Sequence, residues 1–395
     1  MRRAMWAYPW DVLDVGLDAL AADLRDRAGL DGINLATSYH AGRFVQPRSP
    51  LRKSYFPEDG TIYFRPDPGR WEGAAIRPEV ASIVAARGDA LRQLIEGRER
   101  TGLSVAGWTV CLHNTRLGMR HPEACTRNAF GDPAYFSLCP SHPEVRRYAV
   151  TLVADLTHAY PLDSVQIETP GFMGFAHGYH HEKDGLGLNE EDDFLLALCF
   201  CDACLARAAR AGVDGEAARR TVRRWIAEAC ERAMPAPQWP DFREQGLEVF
   251  APHPEVLDYV RWRFEPVTSL AADLRAAVHP RTRVHVLDIG DGWLCGSDLA
   301  ALARATDGIV FCAYDRHPAG VEDDLVAARA LVGPDRFLGT GFRVFWPEMR
   351  GPHDFVARAE AARAAGVQEI NFYNYGLIPA ARLDWVRAGC DALAG

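Results

Sequence analysis

The chain has 395 residues, 48% of them apolar and 25% charged, the balance of a globular protein and too apolar for a disordered one. With 44 Lys and Arg against 53 Asp and Glu its formal charge is −9, which argues against a nucleic-acid partner, because such proteins present a basic face. The longest apolar runs are strand-sized, so no membrane span is expected.

The N-terminus, MRRAMWAYPWDVLD, reaches Pro9 and Asp11 before any long apolar stretch. This is not a secretory signal, and a cytoplasmic protein is expected. RAMWAY (3–8) reads as a first strand, followed by the helical VLDVGLDALAADLRDRAG. GINLATS (32–38), LSVAGWTV (103–110) and DSVQIE (163–168) are the next three strands, the last preceded by the helix PEVRRYAVTLVADLTHAY. RVHVLDI (283–289), DGIVFCAY (307–314), RFLGTGF (336–342) and QEINFYNY (368–375) complete eight strands, with amphipathic helices between them and ARLDWVRAGCDAL closing the chain. Strands apolar on both faces that alternate with helices indicate a parallel sheet. Eight such units predict an α/β fold, a (β/α)8 TIM barrel over residues 1–395 as one domain. An open doubly wound sheet would want a Gly-rich phosphate loop after its first strand, and WAYPWD has none.

The excess length lies in three insertions after strands two, three and four: residues 39–77, 111–141 and 169–254. A barrel's active site sits at the C-terminal ends of its strands, so these insertions are expected to wall a pocket. The first is locally basic (Arg43, Arg48, Arg52, Lys53, Arg65 and Arg70), either a solvated face or a selector for an anionic sugar. HGYHHEKD (177–184) lacks helical metal-ligand spacing and reads as a rim loop.

Cys199, Cys201 and Cys204 form C-x-C-x-x-C within the third insertion. Clustered thiols in a reducing compartment suggest metal before disulfide. Tetrahedral zinc takes four thiolates at about 2.3 Å. Cys139, in SLCPSHPEV, is the candidate fourth ligand, with Cys125 as the alternative. Four thiolates leave no open position, so such a zinc would be structural.

The pair LCPSHPEV and CFCDACLARAARAG resembles the family-42 β-galactosidases and neighbouring barrel glycosidases. These carry a Cys-Pro turn before strand four and a C-x-C-x-x-C segment after it, holding a structural zinc. The resemblance covers roughly residues 103–212; beyond it the barrel rhythm and the NFYNYG eighth strand are shared. It implies a catalytic barrel acting on glycosides, with self-association common. The family's acid/base glutamate ends strand four after an Asn. Glu168 matches it, with Ile167 in place of the Asn. The family's nucleophilic glutamate ends strand seven, where this chain reads GTGFRVFWPEM, with no carboxylate before Glu348.

Glycoside cleavage needs two carboxyl groups across the sugar. Glu168 is the expected proton donor, and Asp315 or Asp288, at the ends of strands six and five, its partner. Tyr39, His40 and Arg43 follow strand two, and Trp108, His113 and Asn114 end or follow strand three. Trp293, Arg343, Tyr373 and Asn374 lie at later strand ends. Aromatic faces suit the apolar faces of pyranose rings, while His, Asn and Arg suit hydroxyls. The reading is therefore an O-glycoside hydrolase. A metal-dependent sugar lyase or isomerase and a non-catalytic carbohydrate-binding barrel are the competing readings.

Overall fold

Eight parallel strands close on themselves in a computed structural model that describes residues 1–177, 182–290, 292–314 and 317–393. They are β1 (Arg2–Ala7), β2 (Gly32–Tyr39), β3 (Ser104–Val110), β4 (Ser164–Glu168), β5 (Arg283–Asp288), β6 (Gly308–Cys312), β7 (Phe337–Arg343) and β8 (Glu369–Tyr373). Each pairs in parallel with its successor, and β1 pairs with both β2 and β8, which closes the ring. The fold is a (β/α)8 barrel, as the eight-fold rhythm predicts. Among the described residues no helix is long and apolar enough to cross a membrane.

Strand alternation sorts the side chains into two cores. Met5, Ile33, Val105, Val165, Val284, Ile309, Leu338 and Ile370 face the surrounding helices and join one apolar cluster. Trp6, Tyr8, Ala36, Trp108, Val310 and Cys312 face the barrel axis and join another. Inside the lower barrel the filling is polar. Arg2 Nη1 donates to Glu369 Oε2 at 2.5 Å, Gln166 Nε2 to Glu369 Oε1 at 3.3 Å, and Trp6 Nε1 to Gln166 Oε1 at 2.7 Å. Gly341 makes room for this layer: a Cβ there would sit 2.7 Å from the Trp6 ring.

The insertions follow β2, β3 and β4. The first carries a hairpin of Phe44–Val45 with Ser54–Tyr55, and its Thr61–Ile62 pairs antiparallel with the end of β2. The second pairs Cys125–Arg127 with Pro133–Leu138. The third is helical, with Glu190–Ala197, Asp202–Arg210 and Gly215–Cys230. Helices Pro254–Trp262 and Phe264–Ala277 then lead back to β5.

Candidate active site and cysteine centre

A cavity of about 500 Å³ opens at the C-terminal ends of the strands, and Tyr39, Trp108, Glu168, Arg343 and Tyr373 line it. The period of two explains Glu168. In Ser164–Glu168 the residues on the parity of Gln166 point to the axis, and Glu168 is the last of them. Its half-buried carboxyl accepts a 2.5 Å hydrogen bond from Trp108 Nε1. Burial raises its pKa to about 7, against the opposing pull of the indole N–H. Thr169, next in the chain, has φ 50°, a left-handed conformation that is unfavourable for a β-branched residue.

Around Glu168 the walls are aromatic. Trp108 lies 5.1 Å from Tyr39 and 5.8 Å from Tyr373, ring centre to ring centre, both edge-on. Beneath them the Tyr8 hydroxyl donates to Tyr39 Oη at 3.1 Å and shares a 2.7 Å bond with the Tyr373 hydroxyl. Burial pushes the phenols of Tyr8, Tyr39 and Tyr373 above their ordinary range, so they remain hydroxyls. Arg343 places its guanidinium 4.7 Å from the Tyr314 ring centre and pairs with Glu348 at 3.4 Å. Glu348 therefore holds an arginine, and it is not a wall of the cavity. An aromatic hollow with one part-protonated carboxyl and hydroxyl and guanidinium donors can bind a polyol and deliver a proton to it.

Other residues singled out in the sequence lie elsewhere. His40 stacks between Tyr39 at 4.2 Å and His113 at 4.0 Å, set back from the cavity. Burial, with His40 and His177 alongside, pushes the pKa of His113 down to about 2. Arg43 is exposed. Asn114 caps helix Thr115–Arg120 by accepting from Leu117 N at 2.9 Å, and its Nδ2 donates to Gly60 O. Trp293 packs on Phe194 at 4.8 Å and Phe242 at 5.2 Å, in the core of the third insertion. Asn374 is buried, and its Oδ1 accepts from Gly376 N to cap a turn. Leu287 faces the cavity, so alternation turns Asp288 to the other side of β5, where its Oδ1 accepts from Gly290 N at 2.8 Å. Asp315 lies outside the described residues, as do residues 178–181 of the rim loop. Arg243 at the cavity mouth was missed. It comes from the short helix Phe242–Gln245, far along the third insertion, and no local motif marks it.

The four cysteines converge. The sulfurs of Cys139, Cys199, Cys201 and Cys204 lie within 4.8 Å of one another, all buried. Cys139 Sγ is 3.4 Å from Cys204, 3.5 Å from Cys201 and 3.9 Å from Cys199. Thiolates at about 2.3 Å from a tetrahedral ion would be roughly 3.8 Å apart, so the set can hold a metal ion. Cys125 stays outside the set and donates to Gly118 O. Arg127 N donates to Cys199 Sγ at 3.3 Å, and Phe200 N to Arg127 O at 2.7 Å, so the centre stitches the second insertion to the third.

No protein-family model matches the chain, and no curated protein sequence does. Solved structures do. The β-galactosidase of the psychrophilic Marinomonas ef1 aligns with a TM-score of 0.58 at 13% identity, over 98% of this chain and 59% of that one. The PgaB (BpsB) glycoside hydrolase domain of Bordetella bronchiseptica aligns at 0.56 and 15% identity, over 100% and 97%. The α-L-fucosidase isoenzyme 2 of Paenibacillus thiaminolyticus aligns at 0.54 and 13% identity, over 100% and 49%. This chain thus spans only about half of two of these neighbours. At such identities the likeness is one of fold.

Proposed function

We propose that the protein is a glycoside hydrolase that cleaves an O-glycosidic bond with Glu168 as general acid. The observation that carries this reading is a carboxyl raised to about 7 at the end of β4, inside an aromatic cavity of about 500 Å³. A group poised near neutrality can protonate a leaving oxygen and then take a proton from water. Tyr39, Trp108, Tyr373 and Arg343 bind the sugar around it. The solved neighbours are by name enzymes of glycosides, and LCPSHPEV with CFCDAC resembles family-42 β-galactosidases. Asp315 is the proposed second carboxylate: it directly follows Tyr314, which lines the cavity, whereas Asp288 belongs to the outer face of its strand. Zinc at Cys139, Cys199, Cys201 and Cys204 is structural, with no open position for substrate.

The test is a panel of aryl glycosides with the wild type, E168Q, D315N and D288N. Wild-type turnover should fall by at least about 100-fold in E168Q with an unchanged circular dichroism spectrum. D315N should lose activity and D288N keep it. Because the acid must be protonated, kcat/KM should decline as pH rises through about 7. Turnover by E168Q near the wild-type rate would sink the assignment. Sugar binding without turnover in the wild type would leave a carbohydrate-binding barrel.

A further inference from the structure

The walls of the cavity around Glu168 are graded from its floor to its mouth. Trp108 is 3% exposed, whereas Ile289 is 52% exposed and the Arg243 side chain 46%. Arg243 also walls a second hollow of about 320 Å³. The chain after β5 serves both: Ile289 and Gly290 line the first, Leu294 and Cys295 the second. Each volume by itself falls in the range of ligand pockets. The two hollows therefore meet at one arginine, at the exposed end of the first.

Packing holds Arg243 at this boundary. Phe242, its buried neighbour on helix Phe242–Gln245, lies 5.2 Å from the Trp293 ring centre and 5.7 Å from that of Phe194. Phe194 stands 4.8 Å from Trp293 and is itself a wall of the second hollow. The aromatic core of the third insertion thus fixes an apolar wall and, one residue along the chain, a guanidinium. Polar groups complete the lining. Arg243 Nε donates to Glu190 Oε1 at 3.1 Å. Asn189 Oδ1 accepts from Asp192 N at 2.9 Å, while its buried Nδ2 has no hydrogen-bond partner among the described residues. Asp193 adds a carboxylate. A buried amide donor left unpaired costs free energy that a ligand oxygen would return. An aromatic wall beside amide, guanidinium and carboxylate groups matches a sugar, which has an apolar ring face and hydroxyls that both donate and accept.

We propose that the second hollow binds the leaving-group side of an oligosaccharide whose scissile bond lies at Glu168, an inference that rests on the glycosidase reading above and deepens it. A general acid protonates the oxygen that departs. The barrel below the cavity is filled by Trp6 and Gln166, so the sugar that keeps the anomeric carbon sits deep, against Trp108 and Tyr373. The departing fragment leads out through the mouth. Arg243 stands where that fragment passes from one hollow into the other. The substrate is then a chain of at least three sugar units: one deep, one at the mouth and one beyond Arg243. The third insertion supplies Asn189, Phe194 and Arg243, and so sets the length that the barrel recognises.

The probes are oligosaccharides of two to five units, built from the sugars of the aryl glycoside panel and isotopically labelled at the reducing end. For the wild type, kcat/KM should rise at least about tenfold from two units to four, and the first labelled products should contain two or more units. A176W fills the second hollow from an exposed wall position, and its ratio of four-unit to two-unit kcat/KM should fall toward one. A kcat/KM independent of length, or a labelled single unit as the sole first product, overturns the inference and leaves the glycosidase reading standing. A wild-type ratio in A176W overturns it as well. Should A176W not fold, the length dependence and the product pattern of the wild type decide. Absence of turnover with every aryl glycoside and every oligosaccharide overturns the glycosidase reading and this inference together.

Discussion

A carboxyl with a raised pKa at Glu168 burdens the fold. Its pKa is about 7 in the folded chain against an ordinary 4.5, so between those values the folded chain holds more protons than the unfolded one. Stability then falls as pH rises through that window. E168Q should match the wild type at pH 4 and exceed it at pH 8 by roughly 2 kcal/mol, allowing for the partial exposure of the side chain. Urea denaturation at the two pH values checks this, and equal stabilities at pH 8 would remove the desolvation argument. The Trp108 indole opposes the shift, so W108F should move the upper limb of the pH–rate profile to higher pH; a limb moving lower would show that another group sets it. Thr169, at φ 50°, is strained where the chain leaves Glu168. T169G should relieve this and gain about 1 kcal/mol in urea denaturation. At this scale the sequence located Glu168, because it ends the fourth strand. Asn374 was legible as an odd residue at a strand end, but its purpose was misjudged: it caps the turn that follows.

The insertion after β2 reads as a basic patch, and two of its arginines, Arg48 and Arg52, are committed to ion pairs. Asp14, fully buried on the first helix (Pro9–Val15), pairs with Arg52 at 2.5 Å and with Arg87, and it accepts from Ser49 Oγ at 2.7 Å. Arg48 pairs with Asp23 and donates to the Tyr375 hydroxyl at 3.0 Å. These two charges therefore pin the loop to the barrel. Positive charge is visible in a sequence. Its partner, 25 to 38 residues upstream, is set by how the loop folds back. D14A should cost about 2 kcal/mol, since the arginines it leaves can rehydrate in part. It should also open residues 44–60 to limited proteolysis, and a cleavage pattern like that of the wild type would show that the hairpin holds without Asp14.

For the whole molecule, the barrel and its insertions are held by different means. The barrel closes through β1 between β2 and β8 and has two layers of apolar and polar filling. The second and third insertions meet at four cysteines, Cys139 and Cys199 being 60 positions apart in the chain. A metal bound there would therefore contribute folding energy to that half of the rim. Stripping the metal should lower the melting temperature by more than roughly 10 °C while the barrel's circular dichroism persists at 25 °C. An unchanged melting temperature after verified metal loss would make the centre dispensable. The sequence alone determined the strand count, the place of Glu168 at the end of the fourth strand, and the thiol-rich knuckle, because strand and helix periods and short spacing are carried by neighbours in the chain. Only the tertiary structure decided that Cys139 rather than Cys125 completes the sulfur set, that Arg243 reaches the cavity mouth, and that Trp293 and Asn374 serve packing and capping. Those outcomes depend on the paths of long connections, whose closure costs little entropy per added residue and leaves no periodic trace in the sequence.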